Sequence, residues 1–378
     1  MKMENVHMVI SRMRKFTYPF VLFLFLWILV ASCTQTGKGK KEVTLSFDKN
    51  IIGTNKPELV CQLVEDSVLL GEIKDFSFLN DTSFVVVDGH GAYLYHTSGT
   101  LIKQFGYSGR AGGEMLSPSS VFVTSKFVYI WCSTLMKILI FDHETYFKDE
   151  LSGFERAVHK FVVAPNDEML FLYTSGFYDD SENKTVNVIN IYSIAERTTK
   201  KLHGERTGKD EVLSVWQNSG GLYAGVNRIV YLHPGNLTIH DLEVNSMKHV
   251  LHKIKDKAFN TEEVINSRDI INNKQKLFDY IYKNSVVRGL YNNDGQFIVI
   301  AEIGQFDQLK MEQKNRKLKL YVLDSSFTPI HTIRYDYVYS PNFLVHSGAM
   351  YFLTINSTDR DQTITLNRFS LQENSGTK

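Results

Sequence analysis

The feature that most narrows what this chain can fold into is a recurring pair of short, β-rich runs. Phe84–Asp88 is followed by a Gly89-His90-Gly91 turn and then by Ala92–Tyr95. The same two-run unit returns as Phe127–Trp131 with Lys137–Asp142, as Met169–Tyr173 with Val186–Tyr192, and as Gly221–Ala224 with Arg228–Tyr231. It returns twice more, as Gln296–Ile300 with Lys317–Asp324 and as Gly348–Leu353 with Thr363–Phe369. Several first runs are apolar almost without interruption, the pattern of a strand covered on both faces. Second runs alternate better, as in Lys317-Leu318-Lys319-Leu320, which suits a strand with one wetter face. Aromatic residues make up 12% of the chain, and such residues fit pleated, half-buried surfaces.

The interval from Phe84 to Phe127 to Met169 matches the roughly 40–50 residues of one four-stranded blade. A lone four-stranded sheet would leave both apolar faces wet, whereas radial stacking buries each face against a neighbour. The expected fold is therefore all-β, a six-bladed β-propeller, with five or seven blades as the neighbouring solutions. A pair of β-sandwiches would not generate the repeated unit. Closing the ring requires the chain ends to meet, and Val43–Phe47 is the strand expected to pair with the last blade near Thr363–Phe369. One stretch departs from the pattern. Asn260-Thr261-Glu262-Glu263 resembles a capping box, and Val264, Ile271 and Phe278, with Ile270 and Leu277 beside them, recur at helical spacing. A short helical insertion over about 260–282 is expected between the fourth and fifth blades.

The N-terminus reads as an address. Arg12, Arg14 and Lys15 precede an unbroken apolar run from Phe20 to Ala31. That is shorter than the roughly 20 residues of a membrane-spanning helix, and it has the length of a signal-peptide core. The run ends Leu29-Val30-Ala31-Ser32-Cys33, which resembles the bacterial lipobox, and the resemblance implies that Cys33 is lipidated and becomes the mature N-terminus. Residues 1–32 are then a signal peptide and 33–42 a flexible tether, small and polar from Thr34 to Lys41. Residues 43–372 form the propeller and 373–378 a tail. The tether is basic where surface-exported lipoproteins of the Bacteroidetes are acidic, so an outer-membrane lipoprotein of the cell envelope, facing the periplasm, is expected. The other two cysteines, Cys61 and Cys132, make no zinc or disulfide framework. A formal net charge of +1 gives no support to a nucleic-acid partner.

The stretch from Gln104 to Glu114 reads QFGYSGRAGGE. It resembles the blade junction of NHL-type repeats and, more closely, that of TolB-like six-bladed propeller lipoproteins of Bacteroidetes, although the proline common there is absent. Gly106, Gly109, Arg110, Gly112, Gly113 and Glu114 form the junction loop. Its glycines supply positive φ at no steric cost, and Glu114 is expected to accept backbone N–H groups of the turn or to pair with Arg110. The loop is read as joining two blades rather than lining a ligand site.

Chemistry is sparse. There is no nucleophile elbow, no His-Glu-x-x-His pair and no phosphate loop with its lysine. No catalytic residue, metal ligand or cofactor is assigned. Asp179-Asp180-Ser181-Glu182 reads as a solvated acidic loop. Two functions from different classes remain. The first is a lipid-anchored binding or scaffold module for a protein or glycan partner. The alternative is a metal-dependent hydrolase of the lactonase or esterase type, which would need carboxylates and amides from several blades, with Asp88, Asn227 and Glu302 among the candidates, to converge on the central channel.

Overall fold

The structure, a computed structural model, describes residues 41–371 apart from 54–55, 65–69, 155–157, 175–187, 203–206, 215–218, 305–316, 337–339, 341 and 358–361. Three N-terminal strands come first: β1 (Lys41–Leu45), β2 (Asn50–Ile52) and β3 (Glu58–Gln62). Blade 1 is β4 (Ile73–Asn80), β5 (Ser83–Asp88), β6 (Ala92–His96) and β7 (Leu101–Phe105). Two short strands, β8 (Tyr107–Ser108) and β9 (Glu114–Met115), lead into blade 2, which is β10 (Pro118–Val123), β11 (Phe127–Cys132), β12 (Lys137–Asp142) and β13 (Phe147–Leu151). Blade 3 is β14 (Val158–Val163), β15 (Met169–Thr174), β16 (Ile189–Ser193) and β17 (Thr198–Leu202). Helix α1 (Gly208–Ser214) precedes blade 4, which is β18 (Gly221–Ala224), β19 (Arg228–Leu232), β20 (Thr238–Glu243) and β21 (Lys248–Ile254). Helices α2 (Ser267–Ile271) and α3 (Lys274–Lys283) precede blade 5, made of β22 (Val286–Asn293), β23 (Gln296–Ile303), β24 (Lys317–Leu323) and β25 (Pro329–Asp336). Blade 6 is β26 (Phe343–His346), β27 (Ala349–Ser357), β28 (Gln362–Ser370) and, as its outermost strand, β3. The chain is a six-bladed β-propeller.

The apolar runs follow from this arrangement. Along β5, Phe84 and Val86 pack into the seam between blades 6 and 1, while Val85 and Val87 pack into the seam between blades 1 and 2. Along β11, Val128, Ile130 and Cys132 face blade 1, while Tyr129 and Trp131 face blade 3. Successive side chains point to opposite faces of a strand, and both faces of a blade are seams, so no position on a central strand can be polar at low cost. Six apolar clusters occupy the six seams in cyclic order, which is the packing of a closed ring.

Ring closure differs from the sequence expectation. The strand that pairs with β28 is β3, with Gln62 opposite Thr365 and Cys61 opposite Leu366. Val43 and Leu45 belong instead to β1, on the outer edge of blade 4 beside β21, and Phe47 packs on Tyr321 of blade 5. Between them, β2 runs parallel to β25 on the edge of blade 5. The N-terminal segment thus passes along the rims of blades 4 and 5 before it closes blade 6.

The helical insertion is present but starts later and is broken. Asn260–Glu262 is not helical. Ser285 donates its backbone N–H to the Asn260 carbonyl (2.8 Å), and Glu262 donates its N–H to the Asn284 side chain (2.5 Å). The N-caps are Asn266 and Asn273, whose side chains accept from the N–H groups of Asp269 and Lys276. Two caps seven residues apart divide what periodicity suggested was one helix. Ile270, Ile271, Leu277 and Val264 do pack on the buried Val212, Leu213, Tyr280 and Ile281 shared with α1, while Phe278 stacks on Tyr282. Among the described residues no helix is long and apolar enough to cross a membrane.

Candidate functional site: the central channel

The six innermost strands, β4, β10, β14, β18, β22 and β26, surround a cavity of about 510 Å³ to which every blade contributes. All six run in one direction, so the channel has a start end and a finish end. Four of them carry a register shift at the same place near the start end, between Ile73 and Asp75, Pro118 and Ser120, Val158 and Lys160, and Val287 and Gly289. A bulge re-aims the side chains around it and recurs beside functional sites. Here the residues at or just after the bulges are Asp75, Ser120, Lys160 and Arg288, and all four line the cavity.

These groups are held by bonds across the seams. Asp75 Oδ2 on blade 1 accepts from Ser120 Oγ (2.8 Å) and from the Val121 N–H (3.0 Å) on blade 2, while its Oδ1 accepts from the Phe76 N–H. Lys160 Nζ on blade 3 donates to the Gly220 carbonyl at the entry to blade 4 (3.1 Å), and the Gly220 N–H donates to the Val287 carbonyl on blade 5 (2.7 Å). Arg288 Nη2 donates to the Ser340 carbonyl at the entry to blade 6 (3.1 Å), and its Nε lies 3.3 Å from Glu302 Oε1. The Asn342 side-chain amide donates to the Lys74 carbonyl, returning to blade 1. The start end therefore carries a ring of polar ties, with the apolar seams packed around it.

Burial sets the electrostatics. Enclosure raises the Asp75 carboxyl above its usual range, against the opposing pull of the Val121 and Ser120 bonds and the Lys160 charge. Enclosure pushes the Lys160 ammonium down to about 8, with Arg288 adding to the effect and Asp75 opposing it. The Tyr291 hydroxyl is raised, chiefly by burial. The rest of the wall is mainly apolar, with Val121, Leu222, Leu290 and Phe343 contributing from four blades.

Connections at the finish end are all short, such as 81–82, 124–126, 225–227 and 294–295. The strands joined by the long connections, β15 to β16, β17 to β18, β21 to β22 and β23 to β24, leave and re-enter at the start end, and the three helices belong to two of those connections. The elaborated face of the propeller and the charged end of its channel coincide.

The residues singled out from sequence lie elsewhere. The junction loop runs from β7 to β10, between blades 1 and 2. Gly106 has φ +52° and Gly113 φ +79°, and a Cβ on Gly106 would lie 2.3 Å from the Gly113 carbonyl oxygen. Glu114 Oε2 accepts from the Ala111 N–H (2.8 Å), and a Cβ on Gly109 would strike the same carboxylate. Arg110 and Gly112 are exposed. The three candidate channel residues do not converge. Asp88 spends its carboxylate on the N–H groups of Gly71, His90 and Gly91 in blade 1. Asn227 sits in a finish-end turn of blade 4, accepting from the Asn245 N–H. Asp88 and Glu302 each lie at the start end of the second strand of their blade, opposite Ile73 and Val286, but only Glu302 pairs with a channel residue, Arg288. Among the described residues no group of three or more His, Cys, Asp or Glu side chains is placed to hold a metal ion. Cys33 and Asp179–Glu182 lie outside the described residues. Sequence reasoning passed over Asp75, Lys160 and Arg288. The available signal was a lone charge inside an apolar run, as in Val286-Val287-Arg288-Gly289-Leu290 and Lys160-Phe161-Val162-Val163.

Fold and channel together define the class: a six-bladed β-propeller with an elaborated start face and a charged channel end beneath it. Solved structures share that fold. A "putative exported protein" of Bacteroides fragilis is 14% identical, with a TM-score of 0.60, over 87% of this chain and 100% of that one. A member of the DUF4221 family from Bacteroides vulgatus is 10% identical, with a TM-score of 0.59, over 84% of this chain and 97% of that one. No family model matches the sequence, and no curated protein matches it.

Proposed function

We propose that this chain is an envelope-anchored binding propeller that engages a protein or glycan partner through its start face. The observation that carries the reading is the asymmetry of the connections: every long one is at the end where the polar ring lies. Binding residues concentrate on loops set by a rigid scaffold, and the six packed seams supply that scaffold. The lipobox-like Leu29–Cys33 supports anchorage by Cys33, and the basic tether supports the periplasmic side of the outer membrane. The exported Bacteroides neighbour supports a place outside the cytoplasm. The junction loop supports kinship with TolB-like propellers.

Site-specific photo-crosslinking tests the reading. Ile265, in the start-face insertion, is 96% exposed, and Val226, in a finish-face turn, is 61% exposed. With a photoreactive residue at each position in turn, in the anchored protein in its own envelope, position 265 should give a discrete adduct and position 226 none. Adducts from 226 alone, or identical adducts from both, would overturn the assignment of the face.

A further inference from the structure

We propose that the channel is also a small-molecule site, and that its ligand is an organic carboxylate whose head group is received by Lys160 and whose apolar body lies against the channel wall. This goes beyond partner binding on the start face and stands whether or not such a partner exists.

The argument is one of unspent bonding capacity. Four charged side chains meet at this end of the channel. Arg288 and Glu302 are paired with each other, and Arg288 is tied further to the Ser340 carbonyl. Asp75 accepts three hydrogen bonds from Phe76, Val121 and Ser120. Lys160 makes a single bond, to the Gly220 carbonyl, although an ammonium carries three donors. No carboxylate lies within ion-pair distance of it among the described residues. Lys160 is half-buried and its nearest counter-charge, Asp75, acts on it through space without a direct ion pair. Partly withdrawing a cation from water in this way is costly, and the chain retains it on a strand bulge at the cavity wall. An anion in the channel would supply the missing acceptor.

Size and wall chemistry narrow the class. A cavity of about 510 Å³ lies within the range of small-ligand sites, which are mostly apolar with a few placed polar groups. Val121, Leu222, Leu290 and Phe343 provide the apolar wall, and Ser120 is at hand beside Asp75. A free inorganic anion would leave that wall wet, and a neutral hydrocarbon would leave Lys160 unmet. A carboxylate on a short aliphatic or aromatic body satisfies both.

The probes are hexanoate and benzoate, each against its neutral amide, titrated into the full chain by calorimetry. The acids should bind more tightly than hexanamide and benzamide by about ten- to a hundredfold, the range of a charge-assisted hydrogen bond. Affinity for the acids should fall as pH rises from 7 towards 9.5, as the ammonium is lost, while that for the amides stays level. Lys160→Met should remove the preference for acids, and Lys160→Arg should retain it in part. If Lys160→Met fails to fold, the acid–amide comparison and its pH profile in the unaltered protein still decide. Equal affinities for acid and amide, no binding of either acid, or an acid preference that survives Lys160→Met would overturn the proposal. Crosslinking at position 265 is read separately, so failure of the one does not imply failure of the other.

Discussion

Arg288 and Glu302 offer the sharpest test of how the channel end is built. Their side chains are 2% and 6% exposed, and Arg288 Nε lies 3.3 Å from Glu302 Oε1. Removing one partner of a buried pair strands the other charge and costs about 3–5 kcal/mol. Glu302→Leu and Arg288→Met should each lower stability by that amount. Replacing both with apolar groups is often neutral or stabilising by about 1–4 kcal/mol. In this protein, however, the change also strips the Ser340 carbonyl of its donor, at about 1–3 kcal/mol. The double variant should therefore lie within about 3 kcal/mol of the unaltered chain, where simple addition of the single changes gives a loss of about 6–10 kcal/mol. Urea unfolding of the four proteins, followed by tryptophan fluorescence, measures the cycle. A double variant as unstable as the sum would show that the two residues act separately, and the pair would not be the tie described.

Other consequences of the structure are open to simple measurement. Gly106→Ala combines positive φ with a Cβ at 2.3 Å from a backbone oxygen, whereas Gly153→Ala meets positive φ (+84°) with no atom within 4 Å. The second should cost about 1 kcal/mol and the first clearly more, so equal falls in Tm would refute a steric role for the junction. Burial pushes the Cys61 thiol up to about 11 and the Cys132 thiol up to about 12, so neither should react with a disulfide reagent at pH 8 until the chain is unfolded. If Cys33 is acylated, the unfolded membrane-extracted protein should titrate two thiols rather than three, and Cys33→Ser should release it from the membrane fraction. Burial pushes the Asp256 carboxyl up, but bonds from Lys319 (2.7 Å) and Tyr321 (2.6 Å) outweigh it and hold it below the usual range. Its contribution is then complete above the unfolded carboxyl pKa of about 3.9 and is lost as pH falls through the lower folded value. Asp256→Asn should flatten the loss of stability below about pH 4, and an unchanged acid limb would count against the interaction.

How far the fold could be read depended on where a strand sits in its blade. The runs recognised in sequence are, for five blades, the second and third strands, as with β5 and β6 or β23 and β24. The second strands are buried on both faces, so their apolar runs are nearly continuous, while a third strand such as β24 keeps Lys317 and Lys319 partly exposed between buried leucines. Blade 4 was read one strand too early, because β20, Thr-Ile-His-Asp-Leu-Glu, alternates with polar residues while β18 and β19 do not. Closing strand β3 was missed for a related reason. As an outermost strand it has exposed Glu58 and Leu59, and Glu58 meets Arg368 in a two-pronged pair of 2.9 Å bonds. Nothing in Glu-Leu-Val-Cys-Gln sounds like a core, whereas Val43–Phe47 does. The channel residues were harder still. Each is one polar or charged residue on an innermost strand, and what makes it part of a site is the meeting of β4, β10, β14 and β22, which no one strand announces.

The route of the N-terminal strands follows from what the outer edges of the blades would otherwise expose. An uncovered edge strand is a template for pairing with another chain, and charged side chains are one way to blunt it. Blades 1 and 2 end in β7 and β13, which carry Lys103 and Lys148-Asp149-Glu150. Blades 4 and 5 end in β21, with Val250, Leu251 and Ile254, and in β25, with Ile330 and Ile333. Both edges also carry charges, Lys248 and Lys253 on β21 and Arg334 on β25, and they are the ones that β1 and β2 cover, burying Leu45 with Ile254 and packing Ile51 beside Ile333. Ring closure and edge protection are thus separable tasks of one segment. A chain beginning at Pro57 keeps β3 and should stay folded, with a far-ultraviolet spectrum like that of a chain beginning at residue 40. With the edges of blades 4 and 5 bare, it should self-associate in sedimentation velocity while the longer chain does not. Equal sedimentation of the two would show that β1 and β2 are not needed to guard those edges. Loss of the folded spectrum would show instead that they are part of the closure itself.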